Sequence, residues 1–133
     1  MKTFFAKLRQ FNIVVALALL VQGIAMLVLS NDFSLPVTSS FLRYNPISNA
    51  LNPTMEIMTK LRIGPMVSVF LLLSSLALFI VAAPKVYEWY VSNLKKGINY
   101  ARWMEYSVTS SLMIVVIAML VGIYDIASLI LVF

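Results

Sequence analysis

The sequence predicts an all-α transmembrane helical bundle: three full helices, the start of a fourth, and a long extracellular loop with room for a short β-hairpin. Three observations carry this expectation. Of the 133 residues, 62% are hydrophobic and only 11% are charged, against about 25% charged in a soluble domain. The apolar residues gather in three long runs. The Lys and Arg residues flank those runs, the usual signature of membrane orientation.

The first run spans residues 11–30, FNIVVALALLVQGIAMLVLS, and carries no charge. At 1.5 Å per residue it covers about 30 Å, one hydrocarbon core. Lys2 and Lys7 resemble the basic start of a signal peptide, but the apolar stretch is too long for one and no A-x-A site follows. A retained helix is the expectation. The second run spans residues 65–83. Pro65 suits a first helical turn, where a missing N–H costs little. This helix is expected to continue past the membrane surface, placing Tyr87, Trp89 and Tyr90 at the interface, and to end at Gly97.

The third run spans residues 100–123 and holds one charge well inside, Glu105. A single helix from Trp103 to Phe133 would be about 46 Å long, too long for one crossing. Gly122 and Asp125 therefore read as a turn, with Asp125 as N-cap of a fourth helix over residues 126–133. On this reading the chain stops inside its fourth span. The connection over residues 31–64 holds Pro36, Pro46 and Pro53 and two Asn-Pro pairs, which favour turns. Its segment Met55 to Ile63 alternates in part and reads as a strand or hairpin arm. Residues 1–133 thus form one membrane domain.

Orientation follows from the cations. Lys2, Lys7, Arg9, Lys85, Lys95, Lys96 and Arg102 lie on one side, Arg43, Lys60 and Arg62 on the other. The richer side is expected to be cytoplasmic, which puts the N-terminus inside and the long loop outside in a multi-pass cell-membrane protein. The net charge of +5 does not point to nucleic acid, because no basic-aromatic motif accompanies it. There are no cysteines and no histidines. A metal centre built on Cys or His and a His-based catalytic triad are excluded, and no nucleophile–base pair suggests an enzyme.

The stretch RWMEYSVTSSLMIVVIAMLVGIYDIASL, Arg102 to Leu129, closely resembles the third helix and following turn of heliorhodopsins. SNDFSLPVT, Ser30 to Thr38, is similar to the start of their first extracellular loop. The order of elements agrees over nearly the whole chain. The resemblance implies an incomplete seven-helix rhodopsin fold and a light-sensing retinal protein with a cytoplasmic N-terminus. It implies that Glu105 is counterion to the protonated retinal Schiff base and that Ser74 lies near that group. Thr109 and Met113, one and two turns beyond Glu105, are implied to border the chromophore, and Gln22 to face a polar interior. A homodimer is also suggested by the resemblance; the signalling partner is not. Leu19 and Leu78 stand where many relatives have histidine. The retinal-binding lysine belongs to a seventh helix, and no lysine here lies within a span, so covalent attachment is not expected in these residues.

The residues leave other readings open. An ionisable residue inside a span costs about 2.5–3.5 kcal/mol and is seldom left unpaired. Glu105 could answer to a cation, to interfacial water, or to a Ser or Thr hydroxyl. Ser74, Ser75, Ser110 and Ser111 could serve close helix packing. Gln22 could bond between helices, and Met113 could be ordinary core. A small three-helix assembly subunit without chromophore is the alternative function. A proton-coupled carrier would need a second intramembrane acid, which the first two spans lack.

Overall fold

The computed structural model describes residues 2–47 and 49–133, with side chains from Lys7 onward. The elements follow as α1 (Lys2–Leu29), β1 (Ser34–Asn45), β2 (Ala50–Arg62), α2 (Ile63–Ala82), α3 (Pro84–Lys95), α4 (Tyr100–Val121) and α5 (Ile126–Val132). Three helices are long and apolar enough to cross a membrane, over Lys7–Leu29, Ile63–Ala82 and Tyr100–Val121.

Small residues bring α1 and α2 together. The Ser68 hydroxyl donates to the Gly23 carbonyl at 2.7 Å, and the Ser75 hydroxyl to the Ala16 carbonyl at 2.7 Å. A Cβ on Gly23 would come within 2.9 Å of Leu72, and one on Gly64 within 2.4 Å of the Ser30 Cβ. In lipid, where apolar surface alone gives helices little reason to associate, close backbones and interhelical hydrogen bonds supply it.

The helix expected to run unbroken from Pro65 to Gly97 is two helices. Residues before a proline are pushed out of the helical region, and Ala83, before Pro84, sits at φ −63°, ψ 140°. Its N–H turns back to the Ile80 carbonyl at 3.1 Å. Pro84 then opens α3. The Ala82 carbonyl is taken up from another helix: the Arg9 Nε–H donates to it at 2.9 Å.

The loop between α1 and α2 forms the expected antiparallel hairpin, longer than anticipated, with strands of 12 and 13 residues. β1 and β2 pair from Ser34–Arg62 to Asn45–Ala50, with a register shift beside Val37 and Thr38. Asn49, at φ 51°, is part of the turn. Pro36 and Pro53 lie inside the strands, which is tolerated because each strand of a two-stranded ribbon has a free edge. Ile63 is the first residue of α2 rather than the last of a strand. Near its base the ribbon packs Leu35, Val37 and Leu61 against Ala118, Met119 and Leu129. The Thr38 N–H donates to the Tyr124 carbonyl at 2.8 Å. Beyond the shift Leu42, Tyr44, Leu51, Met55 and Ile57 are exposed.

α4 is capped at both ends. The Asn99 side chain accepts from the Arg102 N–H at 3.1 Å, and Gly122 closes the helix at φ 104°, a left-handed geometry that glycine adopts without strain. Asp125 then caps α5 by accepting from the Ser128 N–H at 3.0 Å.

Candidate functional site

Glu105 lies in the second turn of α4, half-buried. Facing it from the middle of α2 is Ser74, 7% exposed. The Ser74 hydroxyl donates to Glu105 Oε1 at 2.7 Å. The two adjacent serines of α2 therefore differ: Ser75 ties α2 to α1, and Ser74 ties α2 to the carboxyl of α4. One turn beyond Glu105, the buried Thr109 donates its hydroxyl to the Glu105 carbonyl at 2.9 Å.

These groups line a cavity of about 720 Å³ between α1, α2 and α4. Phe11, Val15 and Leu19 form the α1 wall; Phe70, Ala77, Leu78 and Val81 flank Ser74 on α2; Met113 and Ile117 continue the α4 wall past Thr109. At the α3 end the lining becomes polar, with Tyr90, Asn99 and Arg102. The Arg102 guanidinium is turned to the hydroxyl of Tyr106 and lies 4.8 Å from the centre of its ring. Leu19 and Leu78 keep that part of the wall apolar.

The structure thus gathers Glu105, Ser74, Thr109 and Met113 around one cavity. Gln22 is placed elsewhere, on an exposed part of α1 and off the cavity lining. Sequence reasoning missed Asn12. It is 7% exposed, it lines the cavity, and its Nδ2 has no hydrogen-bond partner among the described residues. The available signal was an amide inside an otherwise apolar helical run.

A largely apolar chamber with few polar groups is the usual form of a small-molecule site, and pockets for such ligands run from about 300 to 1,000 Å³. The cavity offers hydrocarbon walls along its length and, at one place, a carboxyl oxygen held by a hydroxyl. Three membrane-length helices beside a partly open, largely apolar pocket with a carboxyl on its wall are the features of a multi-pass membrane protein. The chain belongs to the heliorhodopsin family, whose model matches residues 8–133. No curated protein matches it.

Proposed function

We propose that this chain forms the counterion-bearing part of a light-sensing retinal protein of heliorhodopsin type. The observation that carries the reading is the Ser74–Glu105 hydrogen bond at the wall of an apolar chamber, together with family membership. Retinal, when bound as a protonated Schiff base, supplies a light-driven isomerisation next to a cation. The chain's own residues hold the charge that answers that cation. Glu105 presents a carboxylate inside the span, and the Ser74 hydroxyl fixes the direction of one of its oxygens. The other α4 residues, Thr109 and Met113, shape the wall along which the chromophore lies. None of Lys2, Lys7, Lys60, Lys85, Lys95 and Lys96 lies deep in a span, so attachment needs a lysine from outside these residues.

Membranes containing the protein as expressed from its gene, incubated with all-trans retinal, test the reading. The expected result is a visible absorption band well to the red of free retinal that borohydride fixes to protein. A stable membrane protein that never develops this band would replace the photoreceptor reading with that of an assembly subunit.

A further inference from the structure

The membrane face around α3 is strongly asymmetric in charge. Among the described side chains, Lys7, Arg9, Lys85, Lys95, Lys96 and Arg102 stand there against Glu88, whereas the hairpin face balances Arg43, Lys60 and Arg62 with Asp32, Glu56 and Asp125. α3 itself is two-sided. Val86, Tyr87, Tyr90, Val91 and Leu94 are partly covered, while Lys85, Glu88, Trp89, Ser92, Lys95 and Lys96 are exposed.

An aromatic strip joins this helix to the start of α4. Trp89 stacks on Tyr100 with ring centres 6.4 Å apart, and Tyr100 meets Trp103 edge-on at 5.7 Å. The three rings are 47%, 43% and 62% exposed. The apolar span of α2 ends at Ala82 and that of α4 begins at Tyr100; the strip lies level with these span ends, which is headgroup depth in a bilayer, where amphipathic rings settle. Rings at this depth, flanked by two helix ends in the membrane, meet lipid before they meet any soluble partner.

We propose that the outer face of α3 and the Trp89–Tyr100–Trp103 strip form a binding surface for anionic phospholipid headgroups. The rings sit at the boundary of headgroup and acyl chain, and Lys85, Lys95 and Lys96 face the phosphates. The surface is independent of the chromophore cavity and does not depend on retinal binding.

Trp89 and Trp103 are the two tryptophans among these 133 residues, and in the form tested any tryptophan outside them is replaced by phenylalanine, so that the emission reports on this corner. The protein is reconstituted in phosphatidylcholine bilayers containing a small fraction of either brominated phosphatidylglycerol or brominated phosphatidylcholine. The expected result is steeper quenching by the phosphatidylglycerol, by about fivefold in local enrichment for each engaged cation. The preference should fall with salt and vanish in the combined Lys85→Gln, Lys95→Gln, Lys96→Gln variant. Equal quenching of the wild-type protein by the two lipids would overturn the proposal, and this comparison needs no variant. A preference that survives the triple substitution would also overturn it. So would its loss on adding inorganic phosphate or an acidic peptide at equal ionic strength, which would name a soluble anion as the occupant.

Discussion

Replacing Ser74 by alanine removes one hydroxyl from the bundle, and the structure fixes what that should cost. The hydroxyl is buried and donates to a carboxyl oxygen at 2.7 Å. With Glu105 ionised, as the proposed counterion role requires, this hydrogen bond contributes about 1.5–3 kcal/mol. Ser75, its neighbour, also donates at 2.7 Å, but to a backbone carbonyl of α1, and interhelical bonds of that kind average about 0.6 kcal/mol in membranes. Ser74→Ala should therefore destabilise the wild-type protein more than Ser75→Ala. In a Glu105→Ala background the cost of Ser74→Ala should fall close to zero, while that of Ser75→Ala should not change. Equilibrium unfolding in mixed micelles with rising SDS fraction, followed by far-ultraviolet circular dichroism, measures all six proteins. The reasoning fails if Ser74→Ala costs the same in both backgrounds, to within the ~0.5 kcal/mol expected of independent sites.

Two further outcomes follow from the packing and the α2–α3 corner. Gly64→Ala places a Cβ 2.4 Å from the Ser30 Cβ and should cost about 1–3 kcal/mol as an overpacked contact, readable in the same unfolding assay, whereas alanine at Gly97 meets no atom within 4 Å and tests only the φ of +76°. The Tyr87 phenol is raised above its ordinary value, first by burial and then by Tyr90, with Arg9 opposing. Because the folded form holds the proton more tightly, the contribution of this contact is complete below the unfolded phenol's pKa of about 10. It is lost as pH rises through the higher folded value. The difference in phenolate absorbance between wild type and Tyr87→Phe measures this; a transition at the ordinary value would contradict it.

Much of the architecture was legible in the sequence because lipid imposes length and polarity together. An apolar run without charge, such as the one from Phe11 to Ser30, has few alternatives to a membrane helix. Asp125 as an N-cap after Gly122 was legible for a local reason, since capping chemistry needs no tertiary context. The break at Ala83 was also written locally, in the dipeptide Ala83–Pro84, but the continuous apolar and aromatic pattern on both sides masked it. β1 was harder to read. Its sequence SLPVTSSFLRYN alternates poorly, and the register shift at Val37 and Thr38 interrupts the two-residue period. The pairing of Ser74 with Glu105 was not available from periodicity at all. It came from the family resemblance, because nothing within α2 says which serine faces α1 and which faces α4. Asn12 was marked locally, as an amide in an apolar run, but its place on the cavity wall and the Arg9–Ala82 contact depend on how distant helices meet.

The role of Glu105 as the charge that answers a chromophore cation is the centre of this account. In the retinal-loaded protein, Glu105→Gln keeps the size and the hydrogen-bonding capacity toward Ser74 and removes only the charge. The account predicts that the visible absorption band moves to longer wavelength, since the positive charge is no longer held near the nitrogen in the ground state. A band unmoved by this substitution would contradict it.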